Sequence, residues 1–317
     1  MPDNDALTGR QKFLMKIVDA LIWPASLFPR GALFSVGAAG GRMAFRLWAR
    51  RRRIAVANIK MIQENGFLPA DLNAEKVAEE SFANMGRTVM ESLSLYHKGF
   101  DSVAEYCRVE EGLDNFEAAR AIAAEGQGLL MVTGHMGNWE VMCRHTSRFL
   151  GRPITIVGRE SGHPLADTLV RRLRTGEGDS FVPKDGGARE MMKTLRTGGV
   201  LGTLIDQAAI GHNPGTPLPF MGREATTNLG PLRLAQKTGV PVLMLLFRRD
   251  GLYHCVKAMP LFKVGDFGEG EEGLTAAAAH LNQWLGERIR QYPDQWMWGH
   301  RRWKTTMGVW HNPESIT

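Results

Sequence analysis

Two patterns of hydrophobic and polar residues divide the chain near residue 126. Between about residues 50 and 123, Ala, Glu, Met and Leu recur in long runs, which predicts two or three helices and no strand of note. After residue 126, short apolar runs alternate with helical stretches. The predicted strands are residues 129–133, 154–157, 181–182, 200–205, 240–247 and 253–258. This alternation predicts an α/β fold, an αβα sandwich with a mostly parallel sheet and additional N-terminal helices.

The N-terminal region is apolar but interrupted. Residues 13–28 are rich in Leu, Ile, Trp and Phe, yet they contain Lys16, Asp19 and Pro24. A spanning helix needs about 20 mainly apolar residues, so this segment is too short and too broken to cross a bilayer. We predict a helix that lies in the membrane interface with Trp23 at headgroup depth. The alternative is an amphipathic helix packed on the rest of the domain.

Basic residues follow this segment. Arg42, Arg46 and the four arginines at 50–53 come after or within a Gly- and Ala-rich apolar stretch. Each such charge near an anionic leaflet contributes about 1 kcal/mol, which favours association with a membrane surface. Nucleic-acid binding is the competing use of a basic run, but no recognisable nucleic-acid module accompanies it.

The composition agrees with a single large core. The chain has 317 residues, 44% of them hydrophobic, and 39 Lys and Arg against 33 Asp and Glu give a net charge of +6. That balance favours anionic partners such as membranes, phosphorylated ligands or acidic proteins. Three cysteines are too few for a disulfide framework, which fits a reducing, cytoplasmic setting.

We assign residues 1–60 to membrane-associating helices with the basic run, and residues 61–317 to the main domain, whose α/β core starts near residue 126.

His135 and Glu140 are the first candidates for chemistry. His135 follows the apolar run 128–132, so it lies at the carboxyl end of a predicted strand, where open α/β sheets bind ligands. Glu140 lies in the first turns of the next helix. A histidine beside a carboxylate can take a proton from a hydroxyl while the carboxylate holds the imidazole tautomer. The alternative is that His135 caps the helix and Glu140 is merely solvated.

Arginines follow the next predicted strand. Arg159 comes directly after the strand at 154–157, and its planar guanidinium could bind a phosphate or an oxyanion. Arg171 and Arg172 lie on the helical stretch beyond it. They either join Arg159 at the ligand or solvate a helix face.

Asp206 and Gln207 follow a further strand and are expected at the same edge of the sheet. Asp206 has three possible roles: a second orienter, a metal ligand, or a turn residue. A metal-dependent hydrolase would use it with His135 and Glu140. Catalytic zinc sites usually have three protein ligands, often a second histidine at helical spacing, and His145 is too far along its helix. We therefore expect no metal.

The last candidate segment is residues 292–304, where three tryptophans alternate with cations. His300 and Arg301 would belong to an amphipathic rim suited to headgroups or phosphates. The alternative is a packed cluster of tryptophans with arginine stems laid over it.

Taken in chain order, these segments resemble the bacterial lipid A biosynthesis acyltransferase family, the late acyltransferases that add a secondary acyl chain to the lipid A precursor. The matching segments are residues 134–140, the strand ending in Arg159 with Pro164 and Asp167 after it, Asp206 with Gln207, the loop at 219–227, and residues 292–304. They cover the chain from about 128 to 304. Five matches in the family's order are more specific than any one of them.

The resemblance implies an acyltransferase with the αβα fold of glycerolipid acyltransferases, bound peripherally or monotopically at the cytoplasmic face of the bacterial inner membrane. It implies that His135, assisted by Glu140, deprotonates a hydroxyl of the lipid A precursor. That hydroxyl attacks an acyl-carrier-protein thioester, and no cofactor is required. Backbone amides at the start of the helix after Asn138, together with Arg159, would stabilise the oxyanion. The expected substrate-binding residues are Asn138, Arg159, Arg171, Arg172, Asp206, Gln207, His300 and Arg301.

Two alternatives remain open at this point. A lysophospholipid, ornithine-lipid or other glycolipid acyltransferase would use the same His-x4-acid arrangement with another acceptor, and a cluster of Arg159, Arg171 and Arg172 would favour lipid A. A non-catalytic, basic membrane-binding protein would bury His135 away from any pocket. In that protein Asp206 would not converge on the histidine.

Overall fold

The computed structural model describes residues 8–160, 162–175, 178–208 and 215–304. The helices are α1 (Gly9–Ile22), α2 (Arg30–Leu47), α3 (Ala49–Glu64), α4 (Ala74–Lys98), α5 (Asp101–Ala104), α6 (Leu113–Ala124), α7 (Trp139–Leu150), α8 (Pro164–Arg174), α9 (Ala188–Arg196), α10 (Gly230–Thr238) and α11 (Gly270–Gln291). The strands are β1 (Cys107–Glu111), β2 (Leu129–Thr133), β3 (Ile154–Gly158), β4 (Ser180–Pro183), β5 (Val200–Leu204), β6 (Thr216–Phe220), β7 (Arg223–Thr227), β8 (Val242–Asp250) and β9 (Tyr253–Ala258). Short 3₁₀ helices cover Trp23–Leu27, Val264–Phe267 and Pro293–Gln295.

A mixed, mostly parallel sheet forms the centre of the molecule. Its strand order is β1-β9-β8-β2-β5-β3-β4 across the described part of the chain. Neighbouring strands run parallel except for β8 and β9, which form an antiparallel hairpin. Helices pack on both faces, so the predicted αβα sandwich with N-terminal helices is confirmed.

Two features were not expected from the sequence. No strand was predicted before residue 126, and this was wrong, because β1 pairs with β9 at one edge of the sheet. Its residues alternate between half-buried and exposed positions and carry charges, as short edge strands often do. The expected loop at 219–227 lies largely in a separate antiparallel hairpin of β6 and β7. Two prolines in β6 had suggested a loop, and prolines are tolerated only in edge strands such as this one.

β2 is buried on both faces, which is why its sequence is continuously apolar. Leu130 and Val132 enter a core shared with α9, α10 and α11. Leu129 and Met131 point to the opposite face and pack with α6 and α7. The residues that follow β2 therefore emerge at the carboxyl edge of the sheet, held by packing on both sides.

α2 crosses α4 in direct backbone contact. A Cβ atom at Gly41 would lie 2.1 Å from the Phe82 carbonyl oxygen, and one at Gly86 would lie 2.0 Å from that of Gly37. The Gly- and Ala-rich stretch is therefore a helix-packing surface that joins the predicted N-terminal region to α4. Within the described ranges, none of the helices combines the length and the apolar character needed to cross a membrane.

Candidate active site

His135 and Asp206 lie side by side at the carboxyl edge of the sheet. β2 and β5 are parallel neighbours with Thr133 opposite Leu204, so the chain leaves both strands at the same level. Asp206 Oδ1 lies 2.7 Å from His135 Nδ1, and Asp206 Oδ2 accepts the backbone N–H of His135 at 2.7 Å. One carboxylate therefore fixes both the ring and the backbone of the histidine.

The environment of Asp206 keeps it ionised. Its side chain is only 2% exposed, and burial by itself would raise its pKa. The positive charge that the His135 ring carries when it is protonated, the hydrogen bonds of that residue, and the Nε1–H of Trp296 at 2.8 Å from Oδ2 outweigh burial and hold the pKa of Asp206 below its ordinary value. An ionised carboxylate only accepts hydrogen bonds, so Nδ1 of His135 carries a proton, and in the neutral ring Nε2 has the lone pair. This is the tautomer that a general base requires.

Gln207 contacts Nε2 of His135, and Trp139 packs against the ring. The side-chain nitrogen of Gln207 lies 3.2 Å from His135 Nε2 and donates to it in this tautomer. The Trp139 ring meets the imidazole edge to face, with the ring centroids 4.8 Å apart. A substrate hydroxyl that reaches Nε2 would take the place of the Gln207 amide.

Glu140 is not the carboxylate on the histidine ring, which corrects the pairing predicted from the sequence. Both of its oxygens accept from Arg174 Nε at 3.1 Å, and its Oε1 also accepts from Arg174 Nη2 at 3.0 Å and from Trp139 Nε1 at 2.9 Å. The reason is topological, because Glu140 leaves the first turn of α7 toward α8, whereas β5 delivers Asp206 directly to the end of β2. Trp139 connects the two residues, since its Nε1–H donates to Glu140 and its ring packs on His135.

Buried contacts fix the turn between β2 and α7. Gly137 has φ +59°, and a Cβ there would lie 2.2 Å from a backbone oxygen of β8, so the position requires glycine. Asn138 Oδ1 accepts the N–H groups of Glu140 and Val141, both at 3.1 Å, and caps α7. The Nδ2 of Asn138 donates to Glu91 at 2.7 Å. The predicted substrate residue Asn138 thus has a structural role in shaping the site.

Glu91 is the centre of a buried cluster that the sequence analysis missed. His254 Nε2 lies 2.9 Å from its Oε1, Arg249 Nη2 lies 3.4 Å from its Oε2, and Arg30 pairs with the same carboxylate. Burial opposes the charge of Glu91, but His254 and the two arginines hold its pKa below the ordinary value. The cluster connects α2, α4, β8 and β9 to the cap of α7. A lone glutamate among apolar positions of α4 is the signal that could have indicated it.

Two of the arginines predicted on and after β3 contact other protein groups. Arg171 contacts Glu160 and the Phe181 ring, and Arg172 contacts the Tyr96 hydroxyl and Asp19. Arg159 is exposed, and its charge adds to burial in lowering the pKa of Lys184. The other two arginines attach α8 to the end of β3 and to α1 and α4. A substrate-binding role for the three remains a prediction.

His300 lies close to the His135–Asp206 pair. Its segment is attached to the site at two points, since Trp296 donates to Asp206 and the Met297 N–H donates to the His135 carbonyl at 3.2 Å. Burial lowers the pKa of His300 to about 4, against the opposing effect of the Asp206 charge. His300 is therefore neutral near pH 7.

The tryptophans expected to form an amphipathic rim are core residues. Trp296, Trp298 and Trp303 are each at most 1% exposed. Arg302 is buried with them, and its guanidinium lies 4.9 Å from the centroid of the Phe220 ring. The packed cluster with an arginine stem, considered as the alternative, describes these four residues.

Protein donors engage the carboxylate of Asp206, which bears on the role of metal ligand considered for it. Within residues 8–160, 162–175, 178–208 and 215–304, no group of three or more His, Cys, Asp or Glu side chains is placed to hold a metal ion. Both oxygens of Asp206 are already bound by donors from His135 and Trp296. The orienting role is the one of its three predicted roles that these contacts support.

Comparison with known proteins decides the family. The sequence profile of the bacterial lipid A biosynthesis acyltransferases matches residues 5–305. The chain belongs to this family. It is 24% identical over 305 residues to a lipid A biosynthesis lauroyltransferase of Escherichia coli (strain K12), with 95% of each chain covered. It is 25% identical over 287 residues to a lipid A biosynthesis palmitoleoyltransferase of the same organism, with 90% of this chain and 89% of that protein covered.

Family membership makes the protein an acyltransferase of lipid A biosynthesis and confirms the resemblance seen in the sequence. A lipid A biosynthesis acyltransferase of Shigella flexneri is also 25% identical over 287 residues. The non-catalytic alternative is not supported, because Asp206 converges on His135 at the sheet edge. The acyltransferase thus places a histidine, an ionised aspartate and a carboxamide together where parallel sheets bind their ligands.

Proposed function

We propose that this acyltransferase moves a fatty acyl chain from an acyl-carrier-protein thioester to a hydroxyl of a lipid A precursor, with His135 as the general base. The observation that carries the proposal is the 2.7 Å contact between Asp206 Oδ1 and His135 Nδ1. It leaves Nε2 as the nitrogen that can accept a proton. The His135 side chain is 12% exposed, and we expect an acceptor hydroxyl to reach Nε2 by displacing the Gln207 amide.

The proposed reaction has two steps. Nε2 of His135 takes the proton of the acceptor hydroxyl while the oxygen attacks the thioester carbonyl carbon, which gives a tetrahedral oxyanion. The C–S bond then breaks, and the imidazolium gives its proton to the leaving thiolate. Asp206 stays ionised and stabilises the imidazolium between the two steps. The enzyme forms no covalent intermediate in this scheme.

Stabilisation of the oxyanion requires hydrogen-bond donors that are not already engaged. The amides of Glu140 and Val141 at the start of α7 donate to Asn138, so they are less suited to this role than the sequence suggested. The carboxamide of Gln207 is released when a hydroxyl displaces it from Nε2, and it then lies beside the reacting atoms. We assign the oxyanion contact to Gln207, with Arg159 as the cation at the same edge. Loss of one such donor typically costs about 3 kcal/mol of the barrier.

Glu140 contributes by positioning the neighbouring indole in this proposal. It accepts the Nε1–H of Trp139 and is itself held by Arg174, whose pKa it raises against the effect of burial. The indole ring then stays against the imidazole of His135. In this proposal Glu140 affects the reaction only indirectly, by holding the indole of Trp139 in position.

An acidic carrier protein and an anionic lipid suit the charge of the chain. The net charge is +6, and positive surfaces accelerate and orient the docking of acidic partners. The relatives are named for lauroyl and palmitoleoyl transfer, so we expect a long-chain acyl donor. The carrier-protein thioester is the donor implied by the resemblance.

We place the enzyme at the cytoplasmic face of the inner membrane, bound from one side. Large apolar side chains are exposed on α1, on α2, between these helices and at the residue that follows α2. They are Phe13, Ile17, Leu21, Trp23, Leu27, Val36, Met43, Leu47 and Trp48. Together with the basic run of α3, these side chains form a surface suited to an anionic bilayer.

The test is transfer of labelled acyl chains from a panel of acyl-carrier-protein thioesters. The acceptors are a tetra-acylated lipid A precursor and, in parallel, lysophospholipids. We expect transfer to the lipid A precursor by the wild type and not by His135→Ala. The matched control is His97→Ala, which removes an exposed imidazole from α4. Transfer only to lysophospholipid would overturn the acceptor, and transfer that persists in His135→Ala would overturn the general base.

A further inference from the structure

Three arginines outside the His135–Asp206 pair form a group that we call the arginine cluster: Arg50, Arg51 and Arg301. The first two lie in the first turn of α3, and the third lies between Trp298 and Trp303 near the end of the described chain. Cations in the first turn of a helix are unfavourable, because the helix dipole is positive there. Their presence therefore indicates a role other than stabilising α3.

Hydrogen bonds place the two parts of the cluster against each other. Arg51 Nη1 donates to the Gly299 carbonyl at 3.0 Å. About two turns further along α3, Asn58 Nδ2 donates to the carbonyls of Trp298 and His300 at 2.8 and 2.9 Å. The segment that carries Arg301 is thus attached along α3 and presents its guanidinium beside those of α3.

No acidic side chain neutralises the cluster within the ranges that the structure describes. Arg50, Arg51 and Arg301 take part in none of the ion pairs found there. The Nη2 atom of Arg301 is buried and has no hydrogen-bond partner among the described residues. Burial, together with the charges of the other two arginines, lowers the pKa of Arg301. Three guanidinium groups without a carboxylate beside them would form a binding site for an anion.

The cluster borders the candidate active site on one side and an apolar surface on the other. The charges of Asp206, His135 and Arg51 all affect the pKa of His300, the residue before Arg301. On the other side, Leu47 and Trp48 are separated from Arg50 by Ala49 alone and are 70% and 62% exposed. A ligand that contacts both the arginine cluster and the apolar surface would need an anionic head group and apolar chains.

We propose that the arginine cluster binds a phosphate group of the acceptor lipid and thereby places a hydroxyl of one of its acyl chains at His135. The proposal rests on the proposed function, which supplies a phosphorylated lipid as the acceptor. A phosphate is favoured over a carboxylate because several guanidinium groups can share its oxygens, each through charge-assisted hydrogen bonds. The apolar side chains at positions 47 and 48 would contact the acyl chains.

The first test compares acceptors that differ only in phosphate. Arg51→Gln and Arg301→Gln are assayed with the lipid A precursor and with the same lipid after enzymatic removal of its phosphates. We expect each variant to raise the KM for the phosphorylated acceptor about tenfold, with little change in kcat or in the KM for the acyl donor. With the dephosphorylated acceptor, the variants should match the wild type. The control is Arg189→Gln, an exposed arginine of α9.

Two results would overturn the proposal. Equal losses on both acceptors would mean that the arginines support the fold rather than a phosphate. A rise in the KM for the donor instead of the acceptor would mean that the cluster docks the acidic carrier protein.

A binding measurement keeps this proposal separate from the proposed function. The His135→Ala protein, with and without Arg51→Gln and Arg301→Gln, is sedimented with phosphatidylcholine vesicles that contain either the lipid A precursor or phosphatidic acid at matched charge. We expect the arginine changes to weaken binding about tenfold only with the precursor. An equal loss with phosphatidic acid, or no loss with either lipid, would contradict an acceptor site. If transfer fails for the wild type but this selective loss is seen, the proposed reaction is wrong and the phosphate site stands.

Discussion

Asp206 contacts His135 twice, through the ring Nδ1 and through the backbone N–H, each at 2.7 Å, although 71 residues separate the two in the chain. The second contact distinguishes this arrangement from an ordinary histidine–carboxylate pair, because the ring cannot turn without leaving a carboxylate that also holds its backbone. A third donor, Trp296 Nε1, fixes the same carboxylate from the other side. The orientation of the base is therefore set before any substrate binds.

Replacing Asp206 by Asn should remove most of the activity while preserving the fold. The amide nitrogen of Asn would donate toward His135 Nδ1 and favour the tautomer in which Nε2 carries the proton, which disables the base. We expect kcat to fall roughly 10³- to 10⁴-fold, as for the equivalent change in serine hydrolases. Initial rates with saturating donor and acceptor measure this loss, and circular dichroism checks the fold. A fall of less than tenfold in kcat would show that the aspartate does not set the tautomer.

The buried Glu91 cluster should matter for both stability and activity. Glu91→Gln removes the negative charge that pairs with Arg30 and Arg249 and leaves both guanidinium groups without a counter-charge. We expect the free energy of unfolding to fall by about 3–5 kcal/mol, as when one partner of a buried ion pair is removed. Because Glu91 also accepts from Asn138, kcat should fall as well.

Urea unfolding and steady-state rates test this expectation. Glu117→Gln is the control, since that residue forms an exposed i,i+3 pair with Arg120 on α6. If Glu91→Gln and Glu117→Gln have equal effects, the cluster does not hold the turn at Asn138.

The contact between α2 and α4 should distinguish two adjacent glycines. Gly41→Ala would place a methyl group 2.1 Å from the Phe82 carbonyl oxygen, whereas a Cβ at Gly40 meets nothing within 4 Å. We expect Gly41→Ala to destabilise the protein by about 1–3 kcal/mol, because the helices must move apart. Gly40→Ala should be neutral or stabilise it by about 0.5–1 kcal/mol, since alanine favours helix. Thermal unfolding of the two variants provides the comparison, and similar shifts would argue against close packing of these helices.

A buried histidine should make stability depend on pH. Burial lowers the pKa of His145 from 6.5 to about 4, with a smaller contribution from His254. Between those values the unfolded chain binds a proton that the native state does not. The stabilising contribution is therefore complete above about pH 6.5 and is lost as the pH falls toward 4. Over this window it amounts to about 3 kcal/mol.

His145→Gln should reduce that dependence. We expect the difference in unfolding free energy between pH 7 and pH 4.5 to be smaller by about 2–3 kcal/mol in the variant. His97→Gln, which changes an exposed imidazole, should leave the difference unchanged. Urea denaturation at the two pH values measures both, and an unaltered difference in His145→Gln would mean that this histidine is protonated in the folded protein.

The sequence by itself determined the fold class and the edge of the sheet at which the chemistry lies. Continuous apolar runs such as that of β2 can be satisfied only by burial on both faces, and the polar residues His135 and Asp206 come directly after two such runs. The edge strand β1 and the β6–β7 hairpin escaped prediction, because charges and prolines weaken the local signal of a strand. The Trp-rich segment gave an ambiguous pattern, since a buried indole and a rim indole look alike in sequence.

Only the tertiary structure decided which acid serves His135. Spacing along the chain favoured Glu140, but side-chain contact depends on which strands are neighbours, and the pairing of β2 with β5 brings in Asp206. The same reason applies to the Glu91 cluster and to Arg301 beside α3, whose partners lie far apart in the chain. Local sequence sets which residues emerge at an edge, whereas long-range packing sets which of them meet.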